Sequence, residues 1–123
     1  MSFFNGHLHA NMELDGSTYE FRVDGELEYR DAGSCYLLSA HDENGRGLSI
    51  WLPRSMPEGQ QEYDLGEPGY PEVHFMLRRS LSPLRSGVLS VTVGGDVQCA
   101  GTFGGVDERG RTFSGGSFRL EKY

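Results

Sequence analysis

Residues 97–120 read VQCAGTFGGVDERGRTFSGGSFRL, and this stretch decides the fold class. Cys99 and Phe103 fall on one face of an extended chain, and the DERG sequence at residues 107–110 is typical of a turn. A last strand is expected over residues 111–120. Glycines stand inside both segments, where they favour the sharp bends of a small barrel or the bulges of a sandwich. The stretch predicts two strands joined by a short turn.

The rest of the chain alternates apolar and polar residues with a period of two and has almost no helical periodicity. Short turn sequences separate the alternating segments. The length of 123 residues fits one domain, residues 1–123. We therefore predict an all-β fold, an eight- or nine-stranded, mainly antiparallel barrel or two-sheet sandwich. The pattern does not choose between barrel and sandwich.

The C-terminal half also carries segments that match a known group of proteins. They are EYDLG at residues 62–66, GVLSVT at residues 87–92, GTF at residues 101–103 and FSGGSF at residues 113–118. In order and approximate spacing they resemble small bacterial all-β proteins of unknown function, many of which are predicted lipoproteins. The resemblance covers about residues 60–120. It implies an all-β fold and no particular activity.

The charge of the chain is uneven. The formal net charge is −7, and all of the excess acid lies in residues 1–62. No nucleic-acid partner is expected, because phosphate contacts need Lys and Arg. A basic protein partner is favoured instead. The sequence shows no apolar run long enough for a membrane helix and no signal peptide, so no membrane contact and a cytoplasmic location are expected.

The strongest concentration of acid is predicted to lie on a hairpin. Strands near residues 18–23 and 26–31 would be joined by a two-residue turn at Asp24-Gly25. One face would be apolar, and the other would carry Glu20, Asp24, Glu26 and Glu28. Like charges side by side on a sheet are destabilising. Such a face serves solubility, protects an edge strand, or meets a basic partner.

The proline-rich segment 53–71 is too long for a simple connection and predicts a structured excursion or a functional loop. Its Tyr63 and Tyr70 are candidate partner-binding residues. A loop of this kind can also cap the mouth of a barrel. A carrier for small apolar ligands would have an interior lined by five aromatic or aliphatic residues, Phe21, Leu37, Trp51, Phe75 and Phe103. Trp51, His74 and Phe75 are its candidate ligand-binding residues.

The sharpest chemical pattern is His7-x-His9-x-x-x-Glu13, because all three side chains would share one face of a strand. Imidazoles and a carboxylate can hold a divalent metal. The alternative is a solvated polar face. Cys35 and Cys99 lie in apolar strand patterns and are expected to be buried thiols. No nucleophile arrangement or phosphate loop is present in the sequence, so no catalytic residue and no cofactor are predicted.

These observations rank three functions. The first is a non-enzymatic binding protein, such as an immunity or inhibitor protein, that meets a basic partner through its acidic face. The alternative is a β-barrel carrier of a small hydrophobic ligand. The third is a metal-dependent enzyme that uses His7, His9 and Glu13. The oligomeric state does not follow from the sequence.

Overall fold

The computed structural model describes residues 2–69, 71–95 and 97–121. Within these ranges the chain forms strands and turns and no helix, which confirms the predicted all-β class. The nine strands are β1 (Ser2–Leu14), β2 (Ser17–Asp31), β3 (Cys35–His41), β4 (Arg46–Pro53), β5 (Gly59–Asp64), β6 (Glu72–Leu77), β7 (Ser80–Gly94), β8 (Val97–Asp107) and β9 (Thr112–Glu121).

The strands close into an up-and-down barrel. The sheet order runs from β7 through β6, β4, β3, β2, β1 and β9 to β8, and β8 pairs again with β7. Every pairing is antiparallel. Eight strands therefore form a closed barrel, which selects the barrel from the two architectures that the sequence left open.

The ninth strand, β5, lies end to end with β6 along one side of β7. β6 pairs with residues 80–83 of β7, and β5 pairs with residues 88–93 on the same side. The two short strands are interrupted by residues 65–71. The proline-rich segment is thus a structured excursion, as predicted, and it contains a strand of its own.

The closing strands β8 and β9 use glycine to make room for aromatic rings. Gly101 lies opposite Phe118, and Phe103 lies opposite Gly116. A Cβ atom on Gly101 would lie 2.8 Å from the Phe118 ring, and one on Gly116 would lie 2.7 Å from the Phe103 ring. Each ring therefore lies over the glycine of the neighbouring strand, an arrangement known to stabilise glycines in sheets. The register also shifts between Phe103 and Gly105, which confirms a bulge among these glycines.

The interior of the barrel is filled by one cluster of apolar side chains contributed by β1–β4 and β6–β9 and by the residue that follows β5. Its largest fully buried members are Phe21, Phe75, Phe113, Phe118, Leu8, Met12, Leu27, Leu38, Leu48, Ile50, Leu52 and Leu89. Two residues expected in the interior, Leu37 and Trp51, are not part of this cluster. They alternate with Leu38, Ile50 and Leu52 and so point to the outer face of the wall.

Two hairpin turns have the same sequence pattern and the same geometry. The turns after β3 and β8 read DENGR at residues 42–46 and DERGR at residues 107–111. In each turn the aspartate accepts backbone N–H bonds from the residues two and four positions on, at 2.8–3.0 Å. The arginine Nε then donates to the second carboxylate oxygen, at 2.9 Å in the first turn and 2.7 Å in the second. Both Asp side chains are buried, so each turn is fixed by a short-range ion pair.

Candidate functional site

The four predicted acidic residues lie on a single strand rather than on a hairpin. β2 runs without a turn from Ser17 to Asp31, and the predicted turn at Asp24-Gly25 is therefore wrong. Gly25 has a φ of +108°, but it lies opposite Gly6 in β1, and the pairing between β1 and β2 continues through it. The partner strand is long enough to hold β2 extended on both sides of the glycine.

The outward face of β2 carries the predicted acid. Glu20, Asp24 and Glu26 are exposed and Glu28 is half-buried. Arg22 lies between the first two carboxylates, 3.1 Å from Glu20 and 3.7 Å from Asp24. The face is therefore acidic but partly neutralised within the strand.

The first part of β2 is an open sheet edge. On one side β2 pairs with β1 from Ser17 to Tyr29, but on the other it pairs with β3 only from Glu28 to Asp31. Within the described ranges, no strand pairs with residues 17–27 on this second side. An open edge offers unpaired backbone N–H and C=O groups to another chain.

A cleft of about 490 Å³ separates this edge from the turn after β3. Its lining carries four carboxylates and two guanidinium groups. The lining residues are Glu20, Arg22, Val23, Asp24, His41, Asp42, Glu43, Asn44 and Arg46. The cleft is thus a polar groove with an excess of negative charge, open to solvent along its length.

Arg46 crosses this cleft. Its Nη2 donates to the backbone carbonyl of Glu20 at 3.3 Å, and its guanidinium lies 5.6 Å from the centre of the Tyr19 ring. The same guanidinium pairs with the buried carboxylate of Asp42 at 2.9 Å. Asp42 is therefore occupied within its own turn, and Glu43, which is exposed beside it, adds free negative charge to the groove.

Asp42 and Glu43 are not among the site residues that the sequence predicts. The signal was present, because the same DE-x-GR pattern occurs twice. The repeat marks two turns of one construction, and only the first faces the open edge of β2.

The structure separates Glu13 from the two histidines of the predicted metal site. His7 and His9 stack with ring centres 4.7 Å apart, and His9 Nε2 lies 2.8 Å from an Asp24 carboxylate oxygen. Partial burial and the neighbouring His9 lower the pKa of His7, whereas the hydrogen bond from His9 lowers the pKa of Asp24. Glu13 instead lines a separate recess with Arg109.

No group of three His, Cys, Asp or Glu able to hold a metal is found among the described residues. His7 and His9 lie near Asp24 rather than near Glu13. Glu13 is four residues beyond His9, and four residues along a strand span about 13 Å. Metal binding by this face stays a prediction.

The three predicted ligand-binding residues lie on two sides of the barrel wall. Phe75 is fully buried inside, 5.3 Å from the centre of the Phe113 ring. Trp51 and His74 lie on the outer face, with ring centres 5.6 Å apart. His74 Nε2 is 2.9 Å from a Glu72 carboxylate oxygen. One ligand inside the barrel therefore could not contact all three predicted residues.

Of the two candidate partner-binding tyrosines, the structure describes Tyr63. Tyr63 lies on β5 and packs partly buried against the core. Tyr70 lies outside the described residues. A role for this pair in partner binding stays a prediction.

A small recess of about 160 Å³ occurs at the end of the barrel where Cys99 lies. It is lined by Tyr29, Tyr36, Arg54, Met56, Val93, Gln98 and Cys99. Burial raises the pKa of the Cys99 thiol to about 12, and burial and the nearby Cys99 raise the pKa of Tyr29 to about 12. Both cysteines are buried and free, as the apolar patterns predicted. The Cys99 thiol is therefore a poor nucleophile.

The fold and the site define an eight-stranded antiparallel barrel with an acidic groove beside an open edge of β2. In comparisons with known proteins, no family model, no curated protein and no solved structure matches the chain. A helix that could span a membrane is not found in the part of the chain that the structure describes.

Proposed function

We propose that this chain is a non-enzymatic binding protein that holds a basic protein partner in the groove between β2 and the turn after β3. The observation that carries the proposal is the position of Glu20, Asp24 and Glu43 around one open groove. All three side chains are exposed and can reach a partner. An inhibitor or immunity protein that covers the basic site of another protein fits this surface.

The charge of the groove supports a basic partner over a neutral one. Four carboxylates face two guanidinium groups in its lining. The whole chain carries a net charge of −7, which favours encounter with a cationic surface at low salt. Exposed charges contribute more to the rate and selectivity of association than to final affinity.

The first test measures binding to a fluorescent peptide of about nine residues that alternates lysine and threonine. The triple variant Glu20→Gln, Asp24→Asn, Glu43→Gln is expected to bind roughly tenfold more weakly than the natural chain, because three carboxylates near the bound lysines are removed. Raising NaCl from about 50 mM to about 300 mM should weaken peptide binding by the natural chain by a similar factor. Fluorescence anisotropy measures both effects.

A matched control removes the same charge elsewhere. Glu62, Asp64 and Glu67 are also exposed but lie on β5 and in the loop after it. The variant Glu62→Gln, Asp64→Asn, Glu67→Gln should change the affinity by less than about threefold. Equal losses in the two triple variants would show that only net charge matters, and the groove would lose its role.

The alternative of a small-ligand carrier has weaker support. The recess beside Tyr29 and Cys99, at about 160 Å³, is smaller than the roughly 300 Å³ at which common ligand pockets begin. The interior residues Phe21, Phe75 and Phe103 pack in one cluster with the rest of the core. A metal-dependent activity at His7 and His9 is the third proposal, for which Asp24 supplies the nearest carboxylate.

A further inference from the structure

We infer that the basic partner enters the groove as an extended segment and adds a strand to the open edge of β2. This inference rests on the proposed function and extends it from side-chain charge to main-chain pairing. Within the described residues, β2 lacks a strand partner over residues 17–27 on the side that faces the groove. Edges of this kind bind extended peptides by β-strand addition, in which main-chain hydrogen bonds supply affinity.

The direction of the backbone groups can be assigned. The carbonyl of Glu20 points away from β1, since it accepts a hydrogen bond from Arg46 across the groove. Backbone groups of alternate residues in a strand point to the same side. Arg22 and Asp24 therefore offer their N–H and C=O groups to the groove as well, and those of Thr18 point to the same open edge.

Arg46 shows what the edge accepts. The Arg46 guanidinium, on the opposite side of the groove, donates a hydrogen bond to the Glu20 carbonyl. A cationic donor is therefore compatible with this edge, and the N–H groups of an incoming strand would take the same kind of position. The partner would displace this side-chain contact of 3.3 Å from the edge.

The negative charge of the β2 face favours a basic segment of another protein over a second copy of this chain. A second copy of this chain would bring the same face, with Glu20 and Asp24, against itself, and like charges across a sheet are destabilising. A basic segment that alternates charged and small residues would instead place its charges on the outer face. There they would lie beside Glu20, Asp24 and Glu26. The occupant is therefore an extended basic segment of another protein.

The test compares two variants that lack the same charge, one with and one without the backbone N–H of residue 22. Arg22→Thr removes a positive charge from the groove and keeps the N–H, so the lysine–threonine peptide should bind about threefold more tightly. Arg22→Pro removes the same charge and also the N–H that faces the groove. Because this N–H does not serve the pairing with β1, proline is tolerated there. The Arg22→Pro variant should bind the lysine–threonine peptide roughly tenfold more weakly than the Arg22→Thr variant does.

If both variants bind equally tightly, charge alone holds the peptide. Strand addition is then overturned, whereas the proposed function survives. A second measurement avoids any folding defect of the proline variant. Two versions of the peptide, N-methylated at all lysines or at all threonines, are bound to the natural chain. One version should lose roughly tenfold in affinity, because only alternate N–H groups face β2. Equal binding of both versions and the unmethylated peptide overturns the inference.

Discussion

Replacing Asp107 by alanine is expected to lower the free energy of unfolding by about 3 kcal/mol. The Asp107 side chain is fully buried and accepts bonds from the Arg111 guanidinium and from Ser82, which is itself buried. Its removal leaves both groups without their acceptor and loosens the turn between β8 and β9. Urea unfolding followed by tryptophan fluorescence measures the change.

The equivalent turn supplies a matched comparison. Asp42→Ala should lower the free energy of unfolding by about 1 kcal/mol less than Asp107→Ala, because none of the described residues donates a buried hydroxyl to Asp42. Glu108→Ala removes only an exposed pair with Arg85 and should change stability by less than about 1 kcal/mol. An Asp107→Ala variant as stable as Glu108→Ala would contradict the assigned role of the turn.

The same site sets a dependence on pH. Burial by itself would raise the pKa of Asp107, but hydrogen bonds from the Arg111 backbone and side chain and from Ser82 outweigh it and hold the pKa below its ordinary value. The stabilisation is therefore fully present above the unfolded-state pKa of about 3.9 and is lost as pH falls through the lower folded-state pKa. The stability difference between the natural chain and Asp107→Asn should shrink below about pH 4.

Gly101→Ala is expected to destabilise the barrel by about 3 kcal/mol. The added methyl group would overlap the carbonyl oxygen of Ser90 in β7 and lie 2.8 Å from the Phe118 ring. The backbone oxygen cannot move without disturbing the pairing of β7 and β8, so the strand itself must shift. Thermal unfolding measures the loss.

Gly104→Ala in the same strand is the control. Apart from the two residues next to it in the chain, a Cβ atom there would lie closest to the Phe113 carbonyl oxygen, at 3.2 Å, and would meet no aromatic ring within 4 Å. The variant should stay within about 1 kcal/mol of the natural chain, since alanine also reduces the freedom of the unfolded state. Equal destabilisation by the two substitutions would remove the special role of the Gly101–Phe118 pair.

The fold class was predictable because strand alternation and turn sequences are local properties. The alternation in residues 97–120 and the glycines within it predicted the last two strands and their bulge, and both are present. Barrel and sandwich were not separable, because closure depends on the pairing of β1 with β9. Such a pairing joins segments far apart along the chain, and local patterns do not record it.

The error at Asp24-Gly25 has the same origin. The dipeptide is a good hairpin turn in isolation. In the structure β1 pairs with residues on both sides of Gly25, so tertiary pairing overrides the local preference. The four acidic residues were correctly assigned to one face, but the groove was not predictable, because Glu43 reaches β2 only through the path of β3 and its turn.

Amide hydrogen exchange of the natural chain, with and without saturating lysine–threonine peptide, tests the central claim most directly. The N–H groups of Thr18, Arg22 and Asp24 lie along the open edge of β2 and should exchange roughly tenfold more slowly in the complex. Amides of β5 (Gly59–Asp64), which pairs with β7 on the far side of the barrel wall from the groove residues of β2, should be unchanged. Unchanged exchange along β2, or protection confined to β5, would contradict binding at the acidic edge.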